Sequence, residues 1–236
     1  MIKEYLHTIG KSFVPRIVRP YLRNYLDKAG IDKVPYNYFG TMFFITVAIT
    51  LFIYIKGVFL RFAGEPWYIL LFATFITWFI IHILINVLFI AIMYFWLNIR
   101  IYKRTKLIED KLPDYLTVVS TNLKGGMSFD KSLWSAIRPE FGILAKEVII
   151  VSKKVATGND TVEALQEFGK KYNSPTLRRA LDLIMDEIRA GGQVVKVLDD
   201  VISQLRKTKE LKAEMASATV TYMIFLGAIV IVIAPA

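Results

Sequence analysis

The sequence predicts an all-α membrane protein: a transmembrane helical hairpin, a cytoplasmic helical bundle, then a further transmembrane helix. Three observations predict it. Of the 236 residues, 55% are hydrophobic, above the roughly 45–50% usual for a soluble domain, and the excess is concentrated at 38–60, 67–97 and 218–236. Between the second and third runs lies a charged stretch long enough to bury its own core. The net charge is +10, and the cations flank the apolar runs as they do on the cytoplasmic side of a membrane. The expected segments are a basic cytoplasmic N-terminus (1–37), the hairpin (38–98), the bundle (99–216) and the start of a third spanning helix (217–236).

Residues 1–37 carry seven Lys/Arg against Glu4, Asp27 and Asp32, and are too polar to hold the apolar core of a signal peptide. Phe13, Val14, Ile17, Val18, Tyr21, Leu22 and Tyr25 recur at helical spacing, with Lys11, Arg16, Arg19 and Arg23 between them. That pattern fits a helix lying in the interface over anionic headgroups, and equally an ordinary packed helix. Pro15 and Pro20 are expected to interrupt or kink it.

Tyr38 to Leu60 supplies the roughly 20 apolar residues a crossing needs. Its one charge, Lys56, lies near one end, from where it can snorkel to the interface. Arg61 to Pro66 reads as a tight polar turn, and Trp67 and Tyr68 stand where an interfacial aromatic belt belongs. Residues 67–97, as a helix, would reach about 46 Å, so a tilted helix projecting into the cytoplasm is expected. Arg100, Lys103, Arg104 and Lys106 follow at once. With cations dense before the first run and after the second, the positive-inside rule puts the N-terminus and the segment after residue 100 in the cytoplasm.

Residues 100–216 read as helix throughout, packed as about six short helices. Leu112, Leu116, Val119 and Leu123 form one apolar stripe, ended by a left-handed cap at Gly125-Gly126. Ser128 can cap the next helix, which buries Phe129, Leu133, Trp134 and Ile137. Pro139 breaks it. Phe141, Leu144, Val148, Val151 and Val155 make a third stripe. Gly158-Asn159 is a turn, Asp160 with Glu163 fits a capping box, and Ser174-Pro175 is an N-cap with Pro at the first helical position. Leu177, Leu181, Ile184 and Ile188 continue to Gly191-Gly192. Val194, Leu198, Val201, Ile202 and Leu205 open a helix expected to run straight into the last apolar stretch. That stretch is barely long enough to span and carries no flanking charge, so a longer protein, of which this is a fragment, is expected.

The sequence holds no constellation for catalysis. It has no cysteine, which excludes disulfides and cysteine-ligated clusters. There is no phosphate-cradling GxxxxGK[ST] loop, no HExxH and no GxSxG elbow. No cofactor, metal or catalytic residue is therefore expected. His82 and Asn86, four apart on the second apolar run, share a helix face. Polar groups inside a membrane suggest function, yet they also bind helices together, and that reading is preferred. The basic groups of the bundle are Lys103/Arg104/Lys106, Lys153/Lys154, Lys170/Lys171, Arg178/Arg179 and Arg206/Lys207/Lys209. They are either solvated faces near anionic lipid or a dock for an acidic partner. Without a recognisable module, nucleic acid is not an expected partner.

The run Lys111-Leu112-Pro113-Asp114-Tyr115-Leu116, leading into Leu123-Lys124-Gly125-Gly126-Met127-Ser128 and Asp130-Lys131-Ser132-Leu133, resembles the type II secretion F domain. So do Ile188-Arg189-Ala190-Gly191-Gly192 and Val197-Leu198-Asp199-Asp200-Val201. The membrane layout looks most like the archaeal members, which assemble archaella or related pili. The resemblance implies a non-enzymatic platform protein of the cell membrane, coupling a hexameric cytoplasmic ATPase to insertion of pilin or archaellin subunits. The basic residues numbered above would then face the ATPase. The bilayer and a second copy of the chain, as a homodimer, complete the expected partners. A small transporter or channel subunit with a regulatory helical domain is the competing reading, and would place charged or broken-helix residues at the bilayer midplane.

Overall fold

The computed structural model describes residues 2–31, 33–59 and 66–233. Its elements are all helical: α1 (Ile2–Phe13), α2 (Arg19–Lys28), α3 (Tyr36–Tyr54) with a π-helical turn (Ile55–Phe59), α4 (Trp67–Lys124), α5 (Phe129–Ser135), a 3-10 turn (Pro139–Phe141), α6 (Ile143–Ala156), α7 (Thr161–Lys171), α8 (Pro175–Ala190) and α9 (Val194–Ile233). No strand occurs among the described residues. The chain divides into two compact units, Met1–Tyr102 and Lys103–Ala236, with the boundary inside α4. Leu60, the Arg61–Glu65 part of the expected turn, the side chains of Phe13 and Trp67, and residues 234–236 lie outside the described set.

In the first unit, the N-terminal segment is two helices. Pro15 lies in the break between them, while Pro20 sits in the first turn of α2 and kinks nothing, because that turn has no intrahelical donor to lose. The expected apolar face is only partly used. Val14 is buried and Leu22 and Tyr25 pack on Leu26, Ala29 and Leu97, but Ile17, Val18 and Tyr21 are exposed. The helix over Ile2–Phe13 was not legible as a separate element. It crosses α3 where both backbones lack a Cβ: one added at Gly40 would stand 2.2 Å from the Leu6 carbonyl oxygen, and one at Gly10 would stand 1.8 Å from that of Tyr36. Small residues permit this approach.

Among the described residues two helices are long and apolar enough to cross a bilayer: Tyr36–Gly57, with mean hydropathy 2.0, and Thr74–Lys124, with 2.5. Their exposure pattern is inverted. On α3 the buried side chains include Thr46 (1% exposed) and Thr50 (0%), while Phe52 is 65% exposed and Phe44, Ile45 and Leu51 also face outward. On α4, Phe72, Phe75, Leu84, Leu88 and Phe95 are exposed.

The second unit has the opposite order. Leu112, Leu116 and Val119 of α4 are buried with Leu144 and Val148 of α6, Leu165 and Phe168 of α7, Leu177, Leu181 and Ile184 of α8, and Leu198 and Val201 of α9. The punctuation follows the chain. Gly126 (φ 84°) closes α4 with the Met127 N–H on the Asn122 carbonyl at 3.2 Å, and Gly191 (φ 65°) closes α8. The Asp160 carboxylate accepts from the Val162 and Glu163 N–H groups, and the Ser174 hydroxyl oxygen accepts from Leu177 N–H. Ser128 holds the N-cap position of α5, but its hydroxyl makes no cap bond. Pro113 lies within α4 rather than at a helix start. Its ring removes one backbone donor, and the helix carries on through it because Leu112, Tyr115 and Leu116 on either side are buried in the core.

Candidate functional site

The basic groups of the second unit divide into two sets. The first set is engaged within the fold. Glu147, on the buried face of α6, is 5% exposed at its side chain and collects three donors. Lys171 lies 3.0 Å away, Arg104 lies 3.5 Å away, and the Tyr172 hydroxyl donates to it at 2.7 Å. A buried carboxylate persists only when its charge and lone pairs are met in this way. Burial, with the bond to Glu147 second, raises the Tyr172 phenol well above its ordinary value. Lys154 pairs with Glu167, Arg206 donates to Thr117 Oγ1 at 3.2 Å, and Lys209 donates to the Asp110 carbonyl at 3.3 Å.

The second set is Lys103, Lys106, Lys153, Lys170, Arg178, Arg179 and Lys207. All seven are exposed, and none forms an ion pair among the described residues. Arg178 and Arg179 lie on a surface groove of about 420 Å³ that also takes in Asp182 and Asp186. Tyr172 and Ser174 line the same groove and are buried. Tyr172 is tied to Glu147, and the Ser174 hydroxyl donates to Glu109 while capping α8. The groove therefore has unpaired cations over an anchored wall, an arrangement that suits an acidic or mixed-charge protein segment.

Sequence reasoning missed the anchor. Glu147 was legible only as an acid one position from Val148 in an apolar stripe, and its partners Arg104, Lys171 and Tyr172 are distant in sequence. It also missed Asp199, whose carboxyl is held below its ordinary value by Lys124 at 2.8 Å and by the Ser120 hydroxyl at 2.7 Å.

In the first unit, His82 meets α3 and Asn86 braces His82 from the next turn of α4. His82 Nδ1 lies 3.3 Å from Thr50 Oγ1, and Thr50 donates to the Thr46 carbonyl at 2.7 Å. Asn86 Nδ2 lies 3.1 Å from His82 Nε2 and donates to the His82 carbonyl at 2.8 Å. With Thr50 already donating and Asn86 offering N–H, the contacts match the neutral tautomer that donates from Nδ1 and accepts at Nε2. Trp78 stacks on the ring at 5.2 Å. Among the described residues no group of three or more His, Asp or Glu side chains is placed to hold a metal.

The family model for type II secretion system (T2SS), protein F, matches residues 115–236, from the buried Tyr115 of α4 through the bundle and all of α9. The chain belongs to the type II secretion system protein F family. Family members are membrane platform proteins that work with assembly ATPases and pilins, and the match covers the groove and five of the seven free cations, leaving out Lys103 and Lys106. No curated protein and no solved structure matched.

Proposed function

We propose that this T2SS F-family chain is a multi-pass platform protein of the cell membrane for an archaellum, type IV pilus or type II secretion filament, and that its bundle couples a hexameric cytoplasmic ATPase to insertion of pilin subunits. The family match over the bundle carries the proposal. The inverted exposure of α3 and α4 supports a hairpin over 38–98 in lipid. The Lys/Arg excess before 38 and after 98 supports a cytoplasmic N-terminal segment (1–37) and bundle (99–216). The helical continuation of α9 to Ile233, exposed from Arg206 to Ala228, supports a further crossing from 217 onward. His82 acts as a helix-to-helix contact through Thr50, and Asn86 acts by holding the His82 ring, rather than the pair forming a transport site.

The ATPase dock is proposed at the unpaired set, centred on Arg178 and Arg179. Arg104, Lys154, Lys171 and Arg206, engaged inside the fold, are structural. The test is binding of the full chain in detergent to its cognate ATPase over a salt series. Binding that weakens with salt, and that Arg178→Glu/Arg179→Glu reduces by about tenfold or more while Arg206→Gln leaves it intact, supports the reading. Binding unchanged by the double reversal would move the dock elsewhere.

A further inference from the structure

Within the first unit, a cleft of about 320 Å³ opens where the α1–α2 corner meets α3 and α4. Its walls include Val14 and Val18 of the corner, Phe39 and Phe43 of α3, and Ile90 and Met93 of α4. The lining is mostly apolar, and three of its polar side chains have their donors engaged within the unit. The Thr46 hydroxyl donates to the Phe43 carbonyl at 2.8 Å, Asn86 is bonded to His82, and the Tyr25 hydroxyl donates to Asn98. An apolar ligand suits these walls, because the cleft offers few polar groups to meet a buried donor or acceptor.

A helix with its side chains is about 10–12 Å across, so the cleft equals a slice of such a cylinder only about 3 Å thick. It has the capacity for a slender hydrocarbon chain and not for a spanning helix.

The corner that forms one wall is also cationic. The Arg19 guanidinium lies across it, donating through Nε to the Val14 carbonyl at 3.1 Å and through Nη2 to the Lys11 carbonyl at 2.8 Å. Arginine has five N–H donors, so others remain for a ligand. Lys11 and Arg16 are exposed beside it. An apolar cleft under a pinned cation selects an amphiphile with a hydrocarbon tail and an anionic head.

We propose that this cleft binds an acyl chain of an anionic phospholipid, with the lipid phosphate held by Lys11, Arg16 and Arg19. The inference rests on the reading that α3 and α4 lie in the bilayer.

Native mass spectrometry of the detergent-purified full chain, titrated with phosphatidylglycerol or phosphatidylcholine, tests it. Phosphatidylglycerol is expected to bind about tenfold more tightly, because the choline cation of phosphatidylcholine offsets the same phosphate and is repelled by Lys11, Arg16 and Arg19. Arg16→Gln/Arg19→Gln removes that preference. Ile90→Trp, which fills the cleft, reduces binding of both lipids. Ile92→Trp, an equally exposed position that does not line the cleft, leaves binding unchanged. Equal binding of the two lipids by the parent chain overturns the proposal, as does full binding to Ile90→Trp. A dimer that Ile90→Trp dissociates, with lipid binding untouched, overturns it and gives the cleft to a second copy. A chain that stays soluble without detergent overturns both this inference and the membrane reading; a detergent-dependent chain without headgroup preference overturns this inference alone.

Discussion

The two units bury different chemistry, and the proposed lipid setting of the first accounts for the difference. In residues 103–205 the inside is Leu, Ile, Val and Phe, and Glu147, the one acid buried among the described residues, is surrounded by donors. In residues 1–102 the threonines of α3 and the His82–Asn86 pair turn inward while phenylalanine, isoleucine and leucine turn out. Water rewards burial of apolar surface. Lipid tails are as apolar as leucine and give no such reward, so helices there meet through small residues and hydrogen bonds. The Gly10 and Gly40 crossing and the Thr50–His82 contact are the expected forms of that packing.

Substitutions can break this contrast, and the largest effect is expected at its polar extreme in the bundle. Glu147→Ala leaves Arg104 and Lys171 without their buried counter-charge and should cost about 3–5 kcal/mol of bundle stability, read as a lowered melting temperature of the detergent-solubilised chain. A loss no larger than that of an exposed acid such as Glu163 would mean that the site is hydrated.

Next is a matched pair of truncations. Leu177→Ala, in the bundle core, should cost about 2–5 kcal/mol. Phe72→Ala, outward-facing on α4, should change stability by under about 1 kcal/mol in the same thermal assay. Equal losses at the two positions would abolish the distinction between the units.

The smallest effect sharpens the picture of the membrane part. Thr50→Val removes the hydroxyl that meets His82 and keeps the shape; about 0.6–1 kcal/mol is expected. Its readout is the same melt, or weaker association of separately expressed halves split between α3 and α4.

Most of the bundle was legible because its signals are local. Gly126 and Gly191 take the left-handed conformations that end helices, Asp160 and Ser174 cap the helices they precede, and the apolar stripes fell inward. The illegible parts depend on distance in the chain. Nothing near Glu147 names Arg104, 43 residues earlier, or Lys171. The split of the basic residues into engaged and free sets is likewise a tertiary fact. In the N-terminal segment the helical pattern of apolar residues was visible, but its periodicity could not tell an exposed Ile17 from a packed Leu22. The α1–α3 crossing is carried by two glycines, which have no hydropathy signal of their own.

The absence of native cysteine makes the central claim directly measurable by single-cysteine labelling of intact cells with a membrane-impermeant maleimide. The account predicts that Pro66→Cys, between the two long helices, is labelled from outside, whereas Ser12→Cys and Thr157→Cys react only after the cells are opened. Labelling of Thr157→Cys in intact cells would put the bundle on the wrong side of the membrane for a cytoplasmic ATPase and contradict the platform account.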